Sequence, residues 1–382
     1  GFSMALVLNE EQQMLKESAQ GFLSEHAPVS ELRAQRDAGS DRGYSSTLWS
    51  QMVNMGWAAI LVPEEYGGLA FGHVGMAQIV EQSGRTLTAS PLLSTAILGV
   101  TAINLAGSED QKTELLGAIA GGELTIALAV DEKIHHDPMQ TAMPAVAKGD
   151  GYVLNGEKRF VVDGSTADKL IVATRTAGSP GDMKGISLFL VDRTASGVSV
   201  QRTEMLDGRN AAIITFTDVE VTADAMLGEQ DRGFRALSAT LDAGNAHLSA
   251  ELLGIAQESF DRTLQYMKER KQFGALIGSF QALQHRTAHW WSEIEMCKSV
   301  VLKVLQSLDE GDVRGSALAS IAKAKLCEVA ELSTNEAIQL HGGIGMTDEY
   351  EIGFFIKRAR PAQMLFGDYN YHANRFALIS GY

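Results

Sequence analysis

The stretch from Tyr266 to His285 carries the groups that best suit a bound anion. It presents one fixed cation, Arg270, and two side-chain amides, Gln272 and Gln281. Leu252, Ala256, Phe260, Leu264 and Met267 run at helical spacing up to Arg270, and Gly274 and Gly278 break that run. Ser279 then reads as the N-cap of a second helix through Phe280, Leu283, Ala288 and Trp291. The free N–H groups at the start of that helix add partial positive charge, so the turn suits a pyrophosphate. The same spacing also describes a plain helical hairpin with a polar elbow. A second chemical possibility is Asp131, Glu132, His135, His136 and Asp137 as metal ligands. Adjacent histidines in a loop rarely point at one ion, so a solvated loop without metal is the expectation there. His247 and His372 are acid–base candidates, though an isolated histidine on a helix is more often structural.

Two of these blocks carry a resemblance. Arg270-Lys-Gln-Phe-Gly274 with Ile277-Gly-Ser-Phe-Gln-Ala282 resembles the signature of the acyl-CoA dehydrogenase family, and Gln339-Leu-His-Gly-Gly-Ile-Gly-Met-Thr-Asp-Glu-Tyr350 resembles that family's other flavin segment. Gly56-Trp-Ala-Ala-Ile-Leu-Val-Pro-Glu-Glu-Tyr-Gly-Gly-Leu69 is similar to its N-terminal domain. The resemblance runs from about Leu8 to Ala377.

The resemblance implies an FAD site, an acyl-CoA groove and a carboxylate base. Arg270, Gln272 and Phe273 would hold the pyrophosphate and adenine side of FAD. Gln281, Gln339, Leu340, Gly342 and Gly343 would do so across a subunit interface. The two glycines would permit close backbone approach, or else simply end one helix and turn into the next. Gly156 to Gly164 matches the strand pair beside the flavin ring, with Phe160, Val161 and Val162 at the matching positions. The ring is expected between the strand-rich middle and the helical tail. The other wall departs from the family: Thr-Glu-Pro followed by Gly-Ser-Asp is replaced by Asp131-Glu-Lys-Ile-His-His-Asp-Pro138. Val130 and Asp131 can still offer backbone contacts. The base position falls in Arg360 to His372, where Asp368 lies one position and one methylene short of the family's Glu. Asp368 reads as the α-proton acceptor or as the N-cap of the last helix, and both readings stand. The family's second base position is Gly244 here, with Asn245 where a supporting Arg often sits; Asp242 matches an acyl-CoA contact, and with Asn245 it forms the substrate-binding pair.

The elements that must position these groups fall in three blocks. Residues 5–124 read as helical, with Asn9 and Ser108 as N-caps; 125–232 as short β-rich runs with Gly and Asp turns, a small antiparallel barrel or sandwich; and 233–382 as a four-helix bundle. The fold class is therefore α+β. A formal charge of −15, with no basic stripe, argues against nucleic acid. No apolar run is long enough to span a bilayer, and Cys297 and Cys327 are too few for a disulfide framework, so a cytoplasmic setting is expected. Gly1-Phe2-Ser3 ahead of Met4 reads as a cloning remnant.

Three functions follow. The first is α,β-dehydrogenation of an acyl-CoA thioester with Asp368 as base and an electron-transfer flavoprotein as acceptor, Gly244, Asn245 and Ala246 hinting at room for a bulky acyl group. The second is a non-catalytic subunit pairing with an active homologue. The third is a flavin-dependent monooxygenase or oxidase on the same fold. Each implies an oligomer, a homotetramer built as a dimer of dimers or a pair with a homologous subunit, and the apolar helix 315–339 looks too apolar for a monomer surface.

Overall fold

The computed structural model describes residues 5–382; Gly1-Phe2-Ser3, expected from the sequence to be a cloning remnant, lies outside them. In chain order the helices are α1 (Glu10–His26), α2 (Val29–Asp37), α3 (Ser46–Asn54), α4 (Gly72–Thr86), a π-helical stretch Leu92–Gly99, α5 (Val100–Ala106) and α6 (Glu109–Ala120). Strands follow: β1 (Ile126–Ala129), β2 (Ala145–Lys148), β3 (Gly151–Val162), β4 (Lys169–Arg175), β5 (Ile186–Asp192), β6 (Val198–Thr203), β7 (Ala211–Thr222) and β8 (Met226–Leu227). The remainder is α7 (Phe234–Glu269), a hairpin of β9 (Lys271–Gln272) and β10 (Ala275–Leu276), α8 (Gln281–Glu310), α9 (Gly315–His341), α10 (Ile352–Met364) and α11 (Tyr369–Ile379). The fold is α+β. No helix among the described residues is long and apolar enough to cross a membrane.

The chain divides into two compact units. One holds residues 34–72 and 89–244. Its strands form two four-stranded sheets, ordered β1-β4-β5-β8 and β2-β3-β7-β6. Their shared core contains Leu154, Leu170, Val172, Phe189, Ile214 and Phe216. The short β-rich runs form antiparallel ladders in the second sheet, but β1 pairs with β4 in parallel, so the unit is not wholly antiparallel. β1 is wholly buried, as a parallel strand covered on both faces must be. Thr95 of the π-helical stretch binds both the carbonyl and the amide of Ile126.

The other unit holds residues 5–33, 73–88 and 245–382. Its centre is α9, packed by α8, α10 and α11. Along α9 the exposed residues are Glu328, Glu331, Asn335 and Gln339, one polar stripe at helical spacing. The apolar 315–339 helix is therefore covered by its own chain, and its apolarity is no argument for a subunit interface. Asn9 and Ser108 cap α1 and α6 with full capping boxes. Ser279 does not cap α8: its hydroxyl donates to the Leu276 carbonyl at 2.6 Å, and Phe280 takes the cap position without a side-chain bond.

Helices α4 and α7 meet backbone to backbone through reciprocal glycines. A Cβ on Gly84 would lie 2.2 Å from the Glu251 carbonyl oxygen, and one on Gly254 would lie 2.0 Å from that of Glu81. Neither helix can give locally, because both atoms met are main chain. Gly254→Ala is expected to cost about 1–3 kcal/mol through overpacking. Denaturant unfolding at unchanged m-value measures it; a variant as stable as the parent would remove the close-contact argument.

Candidate active site

The elbow after α7 is a tight hairpin. Gln272 pairs with Ala275 and Lys271 with Leu276, so the turn is Phe273-Gly274. Both turn residues have positive φ, +54° and +77°, which a two-residue hairpin requires. Gly accepts that conformation freely and Phe does not. The reward is position: Phe273 stands 93% exposed, its ring edge-on to Phe280 at 6.5 Å.

Behind the hairpin lies a cavity of about 430 Å³. It gathers seven of the eight expected cofactor residues of this region: Arg270, Gln272, Phe273, Gln339, Leu340, Gly342 and Gly343. Gln281 is the first residue of α8 and does not line it. Tyr266, which opens the stretch read from the sequence, and His341, inside the Gln339–Gly343 segment, line the cavity too, as does Arg286, which the sequence reading passed over because it carried no signal beyond its helical register. Tyr266 stacks on His341 at 4.4 Å between ring centres. His341 Nδ1 donates to the Ala337 carbonyl, so its buried Nε2 is an acceptor without a partner. Burial lowers the His341 pKa, which keeps that nitrogen neutral. Arg286 is held by both oxygens of Glu336 at 2.9 and 2.8 Å. Arg270 is exposed and has no carboxylate partner among the described residues.

This donor set fits the diphosphate half of FAD. A free guanidinium and the uncapped amides of α8 supply positive charge. A Cβ on Gly342 or Gly343 would meet nothing within 4 Å, so both glycines face open space. Gly342, with φ of +66°, also ends α9. Closing the helix and leaving room in front of it are the work of one residue pair.

In the sheet-bearing unit, the other expected flavin residues cluster along β3. A bulge between Lys158 and Val161 leaves Phe160 at φ +51°. Phe160 and Val162 are half-buried, while Val161 points into the core. The loop at Asp131 is not simply solvated. Lys133, Ile134 and His135 are exposed, but Asp131 and Glu132 are folded in. Asp131 takes His136 Nδ1 at 2.8 Å, and its carbonyl accepts from Arg159 N at 2.7 Å. Glu132 accepts from the amides of Ala142 and Met143 and from Lys158 Nζ at 2.8 Å. Lys158 is wholly buried and also donates to the Val130 carbonyl at 2.9 Å; burial lowers its pKa against the pull of Glu132. No group of three or more metal-ligating side chains occurs among the described residues.

The candidate base lies on the link between α10 and α11, Leu365-Phe366-Gly367-Asp368. Asp368 is half-buried, and its Oδ1 accepts from Tyr371 N at 2.9 Å, so it caps α11. The backbone behind it is gripped throughout. Lys323 Nζ donates to the carbonyls of Gln363, Leu365 and Gly367 at 3.3, 2.6 and 2.8 Å. The Phe366 carbonyl accepts from Asn245 Nδ2 at 3.2 Å and from His372 Nε2 at 2.9 Å. Phe366 has φ +56°, and a Cβ on Gly367 would meet Tyr371 at 2.2 Å.

Asn245, expected at the substrate, thus spends its amide N–H on the link that carries Asp368, leaving its buried Oδ1 unpartnered. Asp242 is buried on the part of α7 that belongs to the sheet-bearing unit. The two histidines are structural. His372 has Ser320 Oγ on Nδ1 and the Phe366 carbonyl on Nε2. His247 faces His73 Nδ1 at 3.0 Å, and burial holds its pKa well below the ordinary value.

Comparison with known proteins identifies the family. Three family models match in order: the acyl-CoA dehydrogenase N-terminal domain over residues 9–123, the middle domain over 131–219 and the C-terminal domain over 231–378. Cyclohex-1-ene-1-carbonyl-CoA dehydrogenase of Syntrophus aciditrophicus is 30% identical over 94% of this chain and 87% of its own. A subunit of the caffeyl-CoA reductase-Etf complex of Acetobacterium woodii is 30% identical over 91% and 92%. Butyryl-CoA dehydrogenase of Megasphaera elsdenii superposes with a TM-score of 0.91 at 26% identity, covering 99% of this chain and 100% of that one. The chain belongs to the acyl-CoA dehydrogenase family, FAD-dependent flavoprotein oxidoreductases that act on acyl-CoA.

Proposed function

We propose that the chain catalyses α,β-dehydrogenation of an acyl-CoA thioester, with Asp368 as the base and an electron-transfer flavoprotein as the onward acceptor. The observation that carries this reading is the link Gln363–Asp368. Six side-chain hydrogen bonds hold four of its carbonyls, and Phe366 sits in left-handed backbone at its centre. An N-cap alone needs none of that. Backbone strain of about 1–3 kcal/mol persists where the surroundings over-determine it, and such sites cluster where chemistry needs a fixed group.

In the reaction, the Cα–H electron pair becomes the new C=C bond as Asp368 takes the α-proton, and the β-hydrogen leaves as hydride. Bound FAD supplies the acceptor for that hydride. On this reading Arg270, Gln272 and Phe273 would hold the diphosphate and adenine side of the cofactor, and Gln281, Gln339 and Leu340, with Gly342 and Gly343 giving room, would do so across a subunit interface. Val130, Asp131, Phe160 and Val162 serve the ring. Asp242 and Asn245 border the acyl-CoA. Gly244, Asn245 and Ala246 are small and buried, which supports a bulky acyl group, as the cyclic substrate in the name of the Syntrophus relative does. The Etf complex of the Acetobacterium relative supports the electron acceptor. Exposed Phe273 and Met346, at 93% and 78%, support a second copy over the elbow.

Asp368→Asn separates the two roles of this residue. Asn caps a helix as well as Asp does, so α11 remains, but it accepts no proton. Loss of the base is expected to slow anaerobic flavin bleaching by a CoA ester about 10²–10⁴-fold. Bleaching at the parent rate would remove Asp368 from the mechanism; no bleaching of the flavin-loaded parent by any ester in a panel would favour the partner-subunit reading. Arg270→Ala is expected to weaken FAD binding by about 1.5–3 kcal/mol, the worth of a charge-assisted hydrogen bond. Flavin fluorescence titration reads this, and unchanged affinity would take Arg270 out of the diphosphate site.

A further inference from the structure

We infer that Lys323 is a positioning residue for Asp368, acting through the backbone carbonyls of Gln363, Leu365 and Gly367. This rests on the reading of Asp368 as the base.

Lys323 lies on α9 and is wholly buried. Among the described residues it forms no ion pair with a carboxylate. Its three N–H donors are matched instead to three carbonyls, at 3.3, 2.6 and 2.8 Å. All three carbonyls converge on the one ammonium. The intervening carbonyl, that of Phe366, is taken by Asn245 and His372. The link is therefore held at every carbonyl from Leu365 to Gly367, by side chains from three helices, immediately before the residue that must meet the α-hydrogen.

Two features separate this from ordinary helix capping. First, a buried ammonium is a costly way to fill space in a helix packed on three sides, where an apolar side chain would serve. Burial lowers the lysine's pKa to about 8, against the opposing pull of Cys327 and Asp368. Second, the grip extends past the end of α10, whose orphan carbonyls a C-terminal cation would ordinarily satisfy, to Gly367. Asp is one methylene shorter than Glu, so the backbone that carries it has less latitude. Misplacing a reacting group by about 1 Å can cost about 10²-fold in rate.

The test uses the full-length, flavin-loaded protein with Lys323→Met and with Lys323→Gln, the latter keeping an amide donor so that the fold is disturbed less. The first readout is amide hydrogen exchange in the peptide covering 363–369. The second is the limiting rate of flavin bleaching by whichever CoA ester in a panel bleaches the parent fastest, with the Kd for that ester. The expected result is faster exchange confined to that peptide, a limiting rate lower by about 10²-fold for Met and less for Gln, and an unchanged Kd. In an Asp368→Asn background the Lys323 variants should give no further loss, because the group being positioned is gone. Parent-like exchange in 363–369, a parent-like limiting rate in either folded variant, or an equal further loss without Asp368 would each overturn the inference. Failure of the base itself looks different: Asp368→Asn alone would then bleach at the parent rate, whatever the exchange data say.

Discussion

Every helix leaves four N–H groups and four carbonyls without partners at its ends, and how this chain satisfies or withholds those partners decides where its chemistry can sit. α1 and α6 are closed by their own capping boxes at Asn9 and Ser108. These are self-contained ends that ask nothing of a ligand. α8 is different. It begins beside the elbow cavity with no side-chain cap. The end of α10 is the opposite case, over-satisfied by a buried lysine that reaches beyond the helix into the link that follows. On the function proposed above, one end is left open where an anion would bind, and the other is closed hard where a fixed carboxylate would act.

The backbone stores strain in the same places. Phe160, Phe273 and Phe366 all have φ between +51° and +56°. Left-handed backbone is a genuine outlier for so bulky a residue. Each sits at a position argued above on other grounds: the β3 bulge, the elbow turn and the link before Asp368. A turn that needed only to reverse the chain would carry Asn or Gly, as Gly274 beside Phe273 does. In each case a ring has been put where the conformation resists it, which is sensible if the ring's direction matters more than local stability.

Much of this was legible in the residues. The helix–strand–helix succession follows from periodicity, and the elbow was visible as a helix end, two glycines and a cation. The motif around Gln339 lay where the cavity closes. Three things were not legible. Ser279 has the right type for a cap and the wrong geometry, because its hydroxyl finds Leu276 before it can reach α8. The parallel pairing of β1 depends on a partner more than forty residues on, which no local pattern encodes. Lys158 and Lys323 are the plainest failures. A lysine in a sequence reads as surface, and only the tertiary structure shows that both are wholly buried and bound to backbone carbonyls.

That last point bears on the most irregular feature of the chain, the loss of the family's Thr-Glu-Pro and Gly-Ser-Asp wall. Read as a list of side chains, the substitute Asp131–Pro138 loop looks like a site dismantled. Read as backbone, it is strongly held. Lys158 fixes the Val130 carbonyl, Glu132 anchors the amides of Ala142 and Met143, and the Asp131 carbonyl is tied to β3 through Arg159. The exposed residues, Lys133 to His135, form the bulge between these anchors. A wall that contacts a flat ring mainly through its main chain tolerates replacement of side chains so long as the main chain stays in place. Lys158 performs that service for the sheet-bearing unit, as Lys323 does for the link that carries Asp368. On the function proposed above, then, the departures at this loop alter which side chains border the substrate more than they alter the seat of the cofactor.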